Sequence, residues 1–330
     1  MSIDELTVID RYFRPLAGEG AFRLVDDAAR LQVPDGFDLV VTADMIAAGV
    51  HFLPGDPSET VAQKALRVNV SDLAAKGATP SAYVLSLGLA AAADETWLAG
   101  FAAGLRQDQE RYRMHLLGGD TIAVAAGPVV SITAFGLVAR GRMVHRFGGR
   151  PGDALYLTGD IGASAIGLAL LRGEHGPWDA LSPDAQTALI RRYRVPDPPA
   201  ALALTVGQFA SAAVDVSDGQ VGDCDKLAAA SGCSALIEAG DVPLPVGMEK
   251  LDERALARLI TAGDDYQILA AVPPPAEGPF REAAASAGGP VARIGALHPG
   301  SGEPPRGRAG GRPLPLDRRA YAHAAGKGTE

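Results

Sequence analysis

Cysteine is nearly absent, with Cys224 and Cys233 the only two in 330 residues. Two thiols so late in the chain supply neither a disulfide framework nor a tetrahedral zinc site, and they fit a reducing cytoplasm. An excess of positive charge is missing too, because 39 Asp and Glu stand against 30 Lys and Arg for a formal net charge of −9. Without a basic field to neutralise a polyanionic backbone, nucleic acid is not an expected partner. The longest apolar run, around Tyr83 to Ala93, falls well short of the roughly 20 residues that cross a bilayer, so no membrane span is expected. The opening Ser2-Ile3-Asp4-Glu5-Leu6 carries acid where a secretory signal carries base, and it reads as a helix capping box.

What is present is an ordinary globular composition, 47% hydrophobic and 21% charged. At this length two domains are expected. Ile3, Leu6, Ile9, Phe13 and Leu16 fall near one helical face, which predicts a first helix over 1–17. Phe37 to Thr42 reads as a strand, Ser58 to Gly77 as a long helix, and Ala82 to Leu89 as a strand. Asp94 to Arg113 follows as a helix and Pro128 to Val138 as a β-branched strand. The turn-rich Gly148-Gly149-Arg150-Pro151-Gly152-Asp153 marks the domain boundary, giving 1–148 and 149–330. In the second half Leu155 to Thr158, Ala212 to Val216, Ala235 to Glu238, Ile268 to Val272 and Val291 to Leu297 are candidate strands. The fold class is therefore α/β with mixed sheets. After about residue 299 the chain turns rich in Gly, Pro and Arg, which predicts an extended tail with only the Tyr321 region able to dock.

The carboxylates fall at strand ends and helix starts, beside Gly, Ser or Thr. The set is Asp26-Asp27, Asp44, Asp72, Asp120, Asp215, Asp218 and Asp264-Asp265. Leu116-Leu117-Gly118-Gly119-Asp120-Thr121 reads as a strand entering a glycine loop whose amides could approach a phosphate. In Val214-Asp215-Val216-Ser217-Asp218-Gly219, Asp215 and Ser217 share a side if the segment is extended, and Asp218 can cap the next helix. Asn69 and Asp72 lie three apart on one helix and share a face. If these acids converge, they need cations, since like charges a few Å apart repel strongly at interior dielectric. Oxygen-only donors without clustered His or Cys point to Mg²⁺, which brings phosphates with it. Any one acid in a Gly-rich turn can equally be a solvated cap, so the reading rests on the set. By themselves His51, beside Phe52, reads as a packed residue and Arg146 as a solvated one.

The order and spacing of these residues resemble the thiamine-monophosphate kinase family of the aminoimidazole-ribonucleotide-synthetase-like superfamily. The stretch Lys64 to Ala78, KALRVNVSDLAAKGA, is close to the family's helix motif over its whole length. Thr42-Ala43-Asp44, Gly49-Val50-His51-Phe52, Leu117-Gly118-Gly119-Asp120-Thr121, Asp215-Val216-Ser217-Asp218-Gly219 and Gly263-Asp264-Asp265-Tyr266 follow in family order. The resemblance implies an ATP-dependent phosphotransferase that converts ATP and thiamine monophosphate to ADP and thiamine diphosphate by in-line transfer. It further implies a homodimer whose N-terminal sheets join into a barrel, each subunit adding a C-terminal α/β domain. By the same resemblance Asp27, Thr42, Asp44, Asp72, Asp120, Asp215 and Asp218 match metal-ligand positions. Gly119, Asp120, Arg146 and Ser217 match nucleotide contacts, and His51, Asp264 and Tyr321 match substrate-side positions. Asp120, Asp72 and Asp218 are then the expected catalytic acids. Val25 stands where the family usually has glycine, and Asp264 where glutamate is common. Two alternatives stand beside this reading. An aminoimidazole ribonucleotide synthetase would carry a Gly-rich strand end where Thr42-Ala43-Asp44-Met45-Ile46 stands, and a magnesium-nucleotide sensor would bind without transfer.

Overall fold

Along Val129–Ala139 burial alternates residue by residue, with Val130, Ile132, Ala134 and Val138 turned inward. That is the period of a strand with one face on a core. The whole architecture, a computed structural model, is described over residues 4–90, 93–300, 306–309, 311–314 and 316. It forms two compact units, Met1–Met143 with Arg194–Gln208, and Val144–Tyr193 with Phe209–Glu330. The break after Met143 falls a few residues before the expected boundary at 148, and the return of 194–208 to the first unit adds a crossing that a single cut did not contain.

The first unit runs α1 (Glu5–Val8), β1 (Phe37–Ala47), α2 (Ser58–Ala75), β2 (Thr79–Ala90), α3 (Glu95–Tyr112), β3 (His115–Val124) and β4 (Val129–Ala139). α1 passes directly into a π turn, Ile9–Phe13, and a 3₁₀ turn, Arg14–Leu16, so the expected first helix is irregular rather than continuous. Asp4 caps it, accepting the Thr7 amide at 3.0 Å and the Thr7 hydroxyl at 2.7 Å. The sheet order is β1-β4-β2-β3, with β2 and β3 parallel and the other neighbours antiparallel. α2 packs on β1, β4 and β2, and α3 packs on α2. Asp94 caps α3 by accepting the Trp97 amide at 2.8 Å.

A buried ion pair fixes α2 against α3. The Arg67 guanidinium grips Asp108 through Nε at 2.8 Å and Nη2 at 2.7 Å, and its Nη1 donates to the Pro196 carbonyl at 2.9 Å. Burial alone would make Arg67 less basic, but the Asp108 carboxylate outweighs it and raises its pKa.

The second unit carries β5 (Ala154–Thr158), α4 (Ala163–Leu171), α5 (Pro183–Arg194, its last residue counted with the first unit), β6 (Ala212–Val216), α7 (Gln220–Ala230) and β7 (Cys233–Glu238). Before β6, α6 (Ala203–Phe209) lies mostly in the returning segment of the first unit. Then come α8 (Glu253–Ile260), β8 (Gln267–Val272), α9 (Glu277–Ser286), β9 (Val291–Pro299), β10 (Arg306–Ala309) and β11 (Arg312–Pro313). These strands form one seven-stranded sheet in the order β11-β10-β7-β9-β5-β8-β6. One core joins sheet and α7 through Leu155, Leu157, Val221, Leu227 and Ile237, and another gathers Ile166, Trp178, Leu189 and Leu259. The segment after 299 differs from the expected extended tail, since β10 pairs in parallel with β7 and Leu314 is buried in the core. Among the described residues no helix is long and apolar enough to cross a membrane.

Candidate active site

In the first unit α2 turns two polar side chains onto β1. Asn69 is fully buried, accepts the Asp44 amide on Oδ1 at 3.1 Å, and donates from Nδ2 to the Ala65 carbonyl one turn back at 3.0 Å. Thr42, two residues before Asp44 and so on the same strand face, donates its hydroxyl to Asp72 Oδ2 at 2.5 Å. Thr42, Asp44 and Asp72 are thus brought together, the Asp72 carboxylate bonded by a neutral hydroxyl and the Asp44 backbone by a neutral amide. His51 sits close by in sequence, its Nδ1 accepting the Ala47 amide at 3.1 Å. That bond leaves the proton of the neutral ring on Nε2.

Asp120 is placed differently. β3 runs unbroken through Gly118-Gly119-Asp120, so the phosphate-cradling glycine loop expected there is a strand. The glycine has a packing reason: a Cβ at Gly119 would lie 1.7 Å from the Leu85 carbonyl oxygen, just beyond the irregularity at Tyr83 and Val84. Register then sets the faces. Asp44 pairs with Ile132, Ile132 with Leu85, and Leu85 with Gly119, whereas Met45, Ser131, Ser86 and Asp120 form the next row. Successive side chains alternate, so Asp44 shares the α2 face with buried Ile132, and Asp120 shares the other with exposed Met45. Three strand spacings, about 14 Å, also separate β1 from β3. The expected gathering of Asp120 with Asp44 and Asp72 is therefore not made within one copy of this sheet. Asp27 lies in an exposed loop just after Phe22, Arg23 and Leu24, all left-handed at φ 50°, 57° and 56°.

In the second unit two loops meet backbone to backbone. Asp264 donates its amide to the Ser217 carbonyl and Tyr266 donates to that of Val216, each at 2.8 Å, and the Ser164 hydroxyl bonds the Asp264 carbonyl at 2.6 Å. These bonds hold Asp264 at φ 78° and Tyr266 at φ 52°, a strain of about 1–3 kcal/mol per residue of the kind stored at functional sites. Gly219 permits the approach at φ 116°, since a Cβ there would lie 2.7 Å from the Thr261 carbonyl oxygen. Ser217 and Asp218 are in this way set beside Asp264, with Asp215 7% exposed on β6 next to them in sequence. Arg146 is exposed in this unit, and Tyr321 lies outside the described residues.

Three groups here escaped the sequence reading. Lys226 Nζ reaches Asp218 Oδ2 at 2.5 Å and Asp223 Oδ1 at 2.7 Å, and Asp223 Oδ2 accepts the Asp218 amide at 2.9 Å. Burial pulls the Lys226 pKa down, but its two carboxylate partners more than reverse this and raise it. Burial also raises the Asp223 carboxyl, against the opposing ammonium. The only signal was a lysine three residues after an aspartate on a helix, which usually marks a solvated pair. Gln220, fully buried at the start of α7, has neither amide atom hydrogen-bonded among the described residues. Asp265, a member of the acidic set, is instead a buried cap. It accepts the Gly162 amide at 2.8 Å and the Ser164 amide at 3.2 Å at the start of α4, and burial outweighs these bonds to push its carboxyl up to about 7.

Magnesium takes oxygen ligands and retains water or phosphate in its shell. The donors of Thr42, Asp44 and Asp72 fit that chemistry. Among the described residues no three His, Cys, Asp or Glu side chains come close enough to hold a metal by themselves, so a shell here would be completed by other oxygens, such as hydroxyl, phosphate or water.

This arrangement of two α/β units defines a class. Residues 25–138 match the family described as AIR synthase related protein, N-terminal domain, and residues 150–303 match its C-terminal domain. Within that class the chain belongs to the thiamine-monophosphate kinase family. It is 40% identical over 306 residues to the thiamine-monophosphate kinase of Caulobacter vibrioides, covering 90% of this chain and 85% of that one. The crystal structure of the Stenotrophomonas maltophilia thiamine-monophosphate kinase is 33% identical and superposes with a TM-score of 0.80 over 94% of this chain and 98% of that one. AaThiL complexed with AMPPCP and TMP is 26% identical, with a TM-score of 0.72 over 98% and 99% of the two chains.

Proposed function

We propose that this protein transfers the γ-phosphoryl group of ATP to the phosphate of thiamine monophosphate, giving ADP and thiamine diphosphate. The observation that carries the proposal is the Thr42–Asp72 and Asp44–Asn69 pairing, displayed by the helix whose sequence runs closest to the kinase family, in a chain 40% identical to a family member over nine-tenths of its length. The acceptor is an ionised phosphate oxygen, so no general base is needed and the protein's task is alignment and charge neutralisation. A new P–O bond forms to that oxygen as the bond to the bridging β–γ oxygen of ATP breaks.

Thr42, Asp44 and Asp72 would hold magnesium in the first unit with Asp27 as a further ligand, Asp120 would join them only from a second copy of the sheet, and Asp215 and Asp218 would hold magnesium in the second unit. When bound, magnesium would neutralise the two anionic phosphate chains so that they tolerate an in-line approach. Gly119, Asp120, Arg146 and Ser217 are the proposed nucleotide contacts, and His51, Asp264 and Tyr321 the proposed thiamine-side contacts. The His51 tautomer supports its part, since Nε2–H is a donor suited to a phosphate oxygen. The strained Asp264, anchored on the Ser217 carbonyl, supports a linked positioning of acceptor and nucleotide.

The same reading makes the protein a homodimer through the open face of its first sheet, joined to its copy as a barrel. Val41, Met45 and Ile122 are 54%, 59% and 57% exposed, and Asp120 lies on that face too. An exposed apolar sheet face of this kind marks an interaction surface. A cytoplasmic location completes the reading, in keeping with two free, buried thiols.

The test is incubation of purified protein with ATP, Mg²⁺ and thiamine monophosphate, followed by separation of the products. Equal amounts of ADP and thiamine diphosphate are expected. ATP binding without thiamine diphosphate would contradict the proposal and favour a sensor.

A further inference from the structure

The unequal burial of two aspartates on one lysine singles out Lys226. Its ammonium bridges Asp218, whose side chain is 36% exposed, and Asp223, whose side chain is 1% exposed. An ion pair with one partner fully withdrawn from water cannot be abandoned cheaply, because the carboxylate left behind would be buried without compensation. The bond to half-exposed Asp218 carries no such penalty, since water or another cation can replace the ammonium there. The amide of Asp218, held by Asp223 Oδ2 at 2.9 Å, keeps the backbone of Asp218 in place whichever cation its carboxylate faces.

We propose that Lys226 is a resident counter-ion for Asp218, a positioning residue that occupies the carboxylate until a divalent cation displaces it. In the exchange Lys226 gives up one of its two bonds and keeps the one to Asp223. Two carboxylates share one ammonium in the resting state, so the cluster holds a single net negative charge, a weak attractor for free Mg²⁺. A cation carried on a bound nucleotide is already held at the site by the nucleotide's own contacts, so only the exchange at Asp218 remains. Lys226 therefore makes metal capture at Asp218 depend on nucleotide. This inference rests on the reading of Asp218 as a metal ligand.

The experiment is calorimetric titration of MgCl₂ into the full-length protein, with and without AMPPCP, for wild type, Lys226→Met, Lys226→Arg, Asp218→Asn and Lys226→Met/Asp218→Asn. The Lys226→Met/Asp223→Asn protein serves as a variant without an unpaired buried charge. Lys226→Met should bind Mg²⁺ without nucleotide about tenfold more tightly than wild type, the scale on which groups around a metal ligand shift its affinity. Lys226→Arg should behave as wild type, and adding Asp218→Asn to Lys226→Met should abolish the gain. If Lys226→Met folds poorly, the gain must appear in Lys226→Met/Asp223→Asn. Unchanged nucleotide-free affinity in the Lys226 variants, with affinity in the presence of AMPPCP weakened by Asp218→Asn, overturns the counter-ion role and leaves the ligand reading standing. No effect of Asp218→Asn in any condition overturns both.

Discussion

The two units treat their acids in opposite ways. In the first, the Thr42 hydroxyl, a neutral group, bonds the Asp72 carboxylate, and the Asn69 amide fixes the backbone of Asp44. In the second, an ammonium already stands on Asp218. Neutral partners orient an acid without cancelling its charge, whereas a lysine orients and cancels together. The first arrangement suits a standing demand for a cation and the second a conditional one.

Substitutions in the two groups sharpen this contrast, beginning with the largest effect. Asp72→Ala should lower kcat on the order of 10³-fold, while its melting temperature holds or rises because removing an acid from a cation-seeking group relieves repulsion. Asp218→Ala should cost less turnover, since Lys226 and Asp223 survive it as a neutral pair. Equal losses in a steady-state assay would break the contrast. Arg67→Ala strands the buried Asp108 and should destabilise the protein by about 3–5 kcal/mol in chemical denaturation, a penalty that Asp72→Ala should not share.

The Arg67 anchor shows what the sequence could and could not disclose. The β-branched strand over Pro128 to Val138 and the apolar second-half strands were legible because β-branching and apolar runs report burial directly. Asp44 and Asp72 were legible as acids at a strand end and on a helix face shared with Asn69, whereas Thr42 entered only through the family resemblance. Gly118-Gly119 was misread because two glycines look alike in a loop and in a strand under a close neighbour. The pairing of β10 with β7 was hidden, since Arg306–Ala309 is too short and polar to announce a strand and draws its order from a partner some seventy residues away. Lys226 was missed because its importance comes from the burial of Asp223, which local sequence does not encode.

Smaller effects test the buried polar groups around the second site. Asp265, with its carboxyl pushed up to about 7 from 3.8, binds a proton more tightly folded than unfolded. Its contribution to stability therefore falls as pH rises between those values and levels off above about 7. Asp265→Asn keeps an acceptor for the Gly162 amide and should flatten that fall in melting temperatures taken across the window; an unaltered slope would mean the proton resides elsewhere. Gln220→Met keeps the shape but removes an amide with no hydrogen-bond partner among the described residues, and should stabilise the protein by about 1–2 kcal/mol in urea titration.

The central claim is that Asp72, bonded by the neutral Thr42 hydroxyl, binds magnesium with the nucleotide. Calorimetric titration of Mg²⁺ into wild type and Asp72→Asn, both saturated with AMPPCP, reads it directly. An affinity at least about tenfold weaker in Asp72→Asn, with the metal-free melting temperature preserved, is the predicted result. Equal affinities in the two proteins would contradict it.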